Sequence, residues 1–145
     1  MLNLSKTVEA LPFIITPPKS KTIFFIISFS LSLSLIKLLK EKGYKIYIFS
    51  DNNIGVYKYL KSLDKFSDID GWVISCEYHL VKEDKRFFEA LFNTYNLNPS
   101  ECFFIDNLEE NIKMSKSLGM DGHVLDYENY GIEKLVEDLR NRGIL

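Results

Sequence analysis

A chain of 145 residues is long enough for one domain with a substantial core and too short for a comfortable second one. Hydrophobic residues make up 46%, charged residues 26%, and the net charge is -2, a soluble, globular balance without the basic excess that nucleic-acid binding needs. Nucleic-acid partners are therefore not expected. Two cysteines, Cys76 and Cys102, fall in or beside apolar runs and form no CxxC or Cys/His cluster, so they read as reduced core residues of a cytoplasmic protein.

In chain order, residues 1–21 carry Pro12, Pro17 and Pro18 and are expected to be an irregular lead-in to a core spanning 22–145. From Thr22 to Ile36 runs an uncharged apolar and serine-rich stretch behind Lys19 and Lys21. Its length, about 15 residues, falls short of the roughly 20 of a spanning helix. Ser28, Ser30, Ser32 and Ser34 also alternate with Phe29, Leu31, Leu33 and Leu35, which suits a strand of a soluble fold. A membrane anchor over 22–36 is the less favoured alternative.

Leu35, Ile36, Leu38 and Leu39 then form a helical stripe that Gly43 is placed to end. Tyr44 to Phe49 is a run of β-formers stopping at Ser-Asp-Asn-Asn, and a helix with Val56, Tyr59, Leu60 and Leu63 follows. Gly71 to Ser75 reads as a strand, a charged loop comes next, and Asp84 to Tyr95 is a helix with Phe87, Phe88, Leu91, Phe92 and Tyr95 on one broad face. Asn98-Pro99 breaks the chain before a strand over Cys102 to Ile105. A helix with Leu108, Ile112 and Leu118 ends at Gly119, and a strand at His123 to Leu125 leads into a last helix with Ile132, Leu135, Val136 and Leu139. Strands alternating with helices of this length predict βαβ units: an α/β, Rossmann-like, three-layer domain with a mostly parallel sheet.

Ligands of open parallel sheets bind outside the carboxyl ends of the strands. The polar residues at those ends are Ser50, Asp51 and Asn52, then Glu77 to Asp84 with Lys82 among them, then Asp106 and Asn107. A hydroxyl, an ammonium and a carboxylate converging there suit a phosphate group, with the acid available to Mg²⁺. Asp106 ends the apolar run CFFI, where a carboxylate is costly without a partner. His79 and His123 have no ligand pattern around them, and Trp72 and the phenylalanines read as core.

The stretches LIKLLKEKGYKIYIFSDN, ISCEYHLVKEDKRFFEAL and NLNPSECFFIDNLEENIKMSKSLGMDGHVL resemble the haloacid dehalogenase-like hydrolase superfamily, in its capped, phosphatase-like branch, over residues 35–145. Three motifs occur in the family's order, each after a predicted strand. The resemblance implies that Ser50 binds the phosphoryl group with Asp51 and Asn52 beside it. Lys82 steadies the transferring phosphoryl as a catalytic residue, and Asp106 is the Mg²⁺-binding acid. Asn107 stands where a second acid is usual; Asn107 and Glu110, or Glu109, complete the implied metal set, and Asn111 matches a frequent asparagine. The family reaction also needs an aspartate nucleophile and a second aspartate two residues on, ending the first strand. The best overlay sets KTIFFIISFSL on that strand, which puts Ile26 and Ser28 in those places and leaves no room for an intact cap. The expectation is a phosphatase-type hydrolase of small phosphorylated metabolites that is truncated or degenerate, weakly active or inactive. The alternative is a non-catalytic module binding phosphate or a partner protein. If the Ile23 to Leu31 run does not replace the lost strand, an exposed sheet edge is expected to drive self-association.

Overall fold

The computed structural model describes residues 13–16, 24–25 and 29–145, with side chains from Leu33 onward. Six strands and six helices alternate along them: β1 (Phe13–Thr16), β2 (Phe24–Phe25), α1 (Phe29–Glu41), β3 (Lys45–Ser50), α2 (Ile54–Lys61), β4 (Gly71–Ile74), α3 (Ser75–Tyr78), α4 (Lys85–Tyr95), β5 (Phe103–Asp106), α5 (Glu109–Ser117), β6 (Asp121–Val124) and α6 (Gly131–Asn141). They form a three-layer α/β domain of the Rossmann type, with the sheet order β4-β3-β1-β5-β6.

The strands are apolar on both faces because helices cover both. Ile46 and Ile48 of β3 and Phe103 and Ile105 of β5 pack with Leu35, Leu39, Leu60, Leu135 and Leu139 from α1, α2 and α6. Tyr47, Phe49 and Phe104, the alternating residues of the same strands, pack with Phe87, Phe88 and Leu91 of α4 and Ile112 of α5. Phe49 lies 4.3 Å from Phe87 and 4.7 Å from Phe88, ring centre to ring centre, and Phe88 meets Phe104 edge-on at 5.6 Å. That aromatic cluster fixes the spacing between β3 and β5, the two strands whose ends carry Ser50 and Asp106.

Pairing is parallel in β3–β4 and β5–β6. The two halves meet at β1, which runs antiparallel to both, pairing Thr16 with Lys45 on one side and Phe13 with Ile105 on the other. β2 is antiparallel to β1 and so runs in the same direction as β3 and β5. Two expectations change here. The predicted lead-in contains a central strand, since Phe-Ile-Ile-Thr is a strong β-former run even between prolines. The Ser/Leu alternation, expected as a strand, is largely helical: α1 begins at Phe29, and Leu35, Ile36 and Leu39 are its buried face. Leucine favours helix over strand, and beyond Ile27 the run has no β-branched residue before Ile36, so the period-two pattern carried no strand preference. Ile26 and Ser28 lie outside the described residues.

β4 is an edge strand, and its exposed backbone is covered. The Tyr95 hydroxyl accepts from Trp72 N–H at 2.9 Å and donates to Trp72 C=O at 3.1 Å. Gly71 makes this possible, because a Cβ there would lie 2.3 Å from the Tyr95 ring. A side chain that satisfies an edge residue's two backbone groups blunts that edge against another strand. Among the described residues, no helix is long and apolar enough to cross a membrane. Both cysteines are free, Cys102 buried and Cys76 partly so.

Candidate functional site

The carboxyl ends of β3, β4 and β5 face the same way, and three nearly buried polar side chains sit there: Ser50 (2% exposed), Lys82 (5%) and Asp106 (2%). Lysine and aspartate are almost never buried unless paired. Here Lys82 Nζ donates to Asp106 Oδ2 at 2.8 Å and lies 3.9 Å from Asp51 Oδ2. The other Asp106 oxygen, Oδ1, accepts from Leu108 N–H at 2.8 Å, which also turns the chain into α5. The apolar floor under the ammonium is the Phe104 ring, 6.0 Å away.

Ser50 Oγ accepts from Asn52 Nδ2 at 2.7 Å, and Asn52 N–H is held by Ser75 Oγ at 3.0 Å. Asn53, not Ser50, caps α2, its side chain accepting from Gly55 and Val56 N–H. The hydroxyl of Ser50 is therefore free of the capping duty that a serine before a helix commonly performs. Asp84 takes the equivalent role for α4, accepting from Arg86 N–H, which leaves Lys82 free to point inward. Asp51 sits in an electrostatic tug: burial raises its pKa, the Lys82 charge and N–H pull it down, Glu83 and Asp106 push it up, and the net result is upward.

Of the residues expected from the sequence, Asp51, Lys82 and Asp106 are joined by ion pairs and Ser50 and Asn52 by a hydrogen bond, whereas Asn107 and Glu110 are exposed, as is Glu109. Among the described residues, no three His, Cys, Asp or Glu side chains gather as a self-sufficient cation cage. Mg²⁺ more often takes one or two carboxylates, water and the ligand's own phosphate oxygens. For that role the donor set fits. Each Asp106 oxygen has accepted one hydrogen bond and retains a lone pair. Asn111, in the first turn of α5, is 4% exposed with a side-chain amide that bonds to no described residue. A buried amide without a partner is a place where water or an ion is expected.

Sequence reasoning did not single out Ser75, although it too ends an apolar strand run and orders Asn52. It also passed over Tyr127, whose pKa is pushed up by burial and then by the Asp106 carboxylate. The charged loop expected after β4 contains the helical turn α3, closed by His79 in the left-handed conformation.

The chain is thus a three-layer α/β domain with a buried Lys–Asp pair and a buried serine at its strand ends. The sequence model of haloacid dehalogenase-like hydrolases matches residues 29–119, and the chain belongs to that family. It is 31% identical over 90 residues to enolase-phosphatase E1 of Shewanella frigidimarina, covering 59% of this chain and 38% of that protein. It is 29% identical over 111 residues to flavin mononucleotide hydrolase 1 of Arabidopsis thaliana, covering 76% of this chain and 43% of that one. A family enzyme from Bacteroides thetaiotaomicron, solved with magnesium and inorganic phosphate, superposes with a TM-score of 0.62 at 25% identity, over 73% of this chain and 56% of that one. The chain thus spans less than half the length of these two curated relatives.

Proposed function

We propose that this chain is a phosphate-binding domain of the phosphatase type, acting on small phosphorylated metabolites, whose own residues supply the binding half of the site but no nucleophile. The observation that carries this reading is the buried Lys82, paired with Asp106 at 2.8 Å and 3.9 Å from Asp51, on a sheet whose same strand ends carry the buried Ser50. An ammonium has three N–H donors; one is bonded to Asp106 at 2.8 Å, and with Asp51 at 3.9 Å the others are left for an oxyanion. The Ser50 hydroxyl, accepting from Asn52, has its own proton to donate to a phosphoryl oxygen. Low dielectric around the pair strengthens each of these bonds to the ligand.

Asp106 would hold Mg²⁺, with the buried Asn111 amide a second candidate oxygen, and the ion when bound would neutralise charge on the phosphoryl oxygens. Support comes from the Bacteroides enzyme, an aspartate-to-alanine variant of which also crystallised with magnesium and inorganic phosphate. Hydrolysis through a covalent intermediate requires a carboxylate in line with phosphorus. Asp106 is hydrogen-bonded to Lys82 and to Leu108 N–H, and upstream of Asp51 the sequence has no acid between Glu9 and Glu41. The consequence is a domain that binds phosphate and turns it over weakly or not at all.

Calorimetry with inorganic phosphate and Mg²⁺, and turnover of p-nitrophenyl phosphate, test the two halves of this reading. The expected result is saturable phosphate binding, lost in Ser50→Ala, with at most trace hydrolysis. Silence in the calorimeter overturns the binding half, and robust turnover abolished by Asp106→Asn overturns the missing-nucleophile half.

A further inference from the structure

Ser75 does not spend its hydroxyl on its own helix. It is the first residue of α3, and Ile74 at the cap position makes no side-chain hydrogen bond. A serine at a helix start commonly bonds to backbone groups close by in sequence. Here Ser75 Oγ crosses instead to the chain leaving β3, accepting from Asn52 N–H at 3.0 Å and reaching the Asn52 carbonyl at 3.4 Å. The sheet register makes that crossing possible. β3 and β4 pair in parallel as far as Ser50 and Ile74, so Ser75 is the next residue along, level with the start of the loop to which Asn52 belongs.

Asn52 passes the constraint on. Its Nδ2 donates to the Oγ of the buried Ser50 at 2.7 Å. A serine hydroxyl is a rotor whose direction is set by its partners, and one that accepts from an amide keeps its proton for another acceptor. Asn52 can direct that rotor only while it is itself held, and residues 51–53 belong to no helix or strand. On the far side the loop is tied by Asn53, whose Oδ1 accepts from Gly55 N–H at 3.0 Å and Val56 N–H at 3.1 Å as α2 begins. On the near side the tie is Ser75, at the end of a strand that Tyr95 backs through its bonds to Trp72. Fixing a binding group in advance removes an ordering cost from association.

We propose that Ser75 is a positioning residue for phosphate: its hydroxyl fixes the Asn52 backbone, and the Asn52 amide aims the Ser50 hydroxyl at a phosphoryl oxygen. This rests on the phosphate-site reading above. Ser75 acts through Asn52 and needs no contact with the ligand. Removing its hydroxyl leaves Ser50 and Lys82 in the chain but frees the loop of residues 51–53, so the binding arrangement of Ser50 is populated less often and the apparent affinity falls by that fraction. Threonine carries the same hydroxyl and keeps the tie.

Calorimetry of the full chain with inorganic phosphate in Mg²⁺ tests this relay. Ser75→Ala is expected to weaken phosphate binding about fivefold, the scale of one hydrogen bond, and Ser75→Thr to stay within about twofold of wild type. Asn52→Ala alone should weaken binding at least as much as Ser75→Ala. With the amide gone Ser75 has nothing to aim, so adding Ser75→Ala to Asn52→Ala should change the affinity by less than about twofold, whereas a general loosening of the fold would lower it equally in both backgrounds. If Ser75→Ala does not fold, Ser75→Cys, similar in size but a weak donor and acceptor, replaces it with the same expectations. Unchanged affinity in Ser75→Ala, an equal loss in Ser75→Thr, or a loss that persists in the Asn52→Ala background each overturns the relay and leaves the phosphate site standing. Absence of phosphate binding by the wild-type chain overturns both.

Discussion

Two clusters of ion pairs lie toward opposite ends of the sheet and make opposite use of the same chemistry. At the carboxyl ends, Lys82 and Asp106 are 5% and 2% exposed and touch at 2.8 Å above an aromatic floor. Toward the other end, Arg142 donates from Nε to Asp138 Oδ1 at 2.7 Å and reaches Asp121, while His123 Nδ1 lies 3.0 Å from Asp138 Oδ2. Arg142 also lies over the Phe103 ring at 4.6 Å. This second cluster fastens α6 to the edge strand β6 and stays wet, with 34% of the Arg142 side chain and 52% of the Asp121 side chain exposed. Water makes the second cluster cheap to form and cheap to lose. Desolvation makes the first expensive to form, and a fold bears that cost where the charges do something packing alone does not.

The sharpest way to break the comparison is to remove one buried partner. Lys82→Met keeps the aliphatic stem but strands the Asp106 carboxylate, and urea unfolding is expected to show a loss of about 3–5 kcal/mol. Adding Asp106→Leu to that variant removes the orphan charge and should return most of the loss, while phosphate binding stays abolished. A double variant no more stable than the single one would mean that the pair contributes favourably in its own right.

The matching change at the wet cluster, Arg142→Ala, is expected to cost no more than about 1 kcal/mol, shrinking as salt is added. A loss as large as that of Lys82→Met would show that burial does not separate the two clusters.

The smallest effects come from two aspartates whose acidities move in opposite directions. Burial pulls the Asp138 pKa up, but its hydrogen bonds from Arg142 and His123 outweigh that, and the net value is depressed. Its contribution is thus present above the unfolded value of about 3.9 and lost as pH falls through the folded one. Asp51 is raised, so its contribution is present in acid and lost as pH rises through its folded value. Melting temperatures should therefore show Asp138→Asn less stable than wild type at pH 7 and Asp51→Asn slightly more stable. Both differences stay within about 1 kcal/mol, smaller for Asp51, whose side chain is 37% exposed and screened, and both close in acid.

Much of this molecule was legible in the residues. The helix of Phe87, Phe88 and Leu91 and the last helix of Leu135 and Leu139 follow from apolar spacing. The strands over 45–50 and 103–106 are short β-former runs ended by polar residues, and the strand-end rule points to Ser50, Lys82 and Asp106 from residue type and order alone. The haloacid dehalogenase resemblance agrees with the family that the chain matches. Less legible was whatever depends on a partner distant in sequence. Phe13–Thr16 becomes a strand in the middle of the sheet through pairing with β3 and β5, contacts that no local pattern encodes. The Ser/Leu run is ambiguous between periods of two and 3.6, and burial of Leu35, Ile36 and Leu39 against β3 and α6 decides for helix.

The site divides the same way. Sequence alone determined which residue types stand at the strand ends, because a strand that ends in a polar residue delivers it to the rim whatever else the chain does. Only the tertiary structure decided that Lys82 pairs with Asp106 near Asp51, that Asn107 and Glu110 are exposed, and that Ser75 orders Asn52. Those facts depend on how loops from three different strand ends meet, and the free energy of that meeting is set by burial and charge across gaps of more than twenty residues, such as the one joining Lys82 to Asp106.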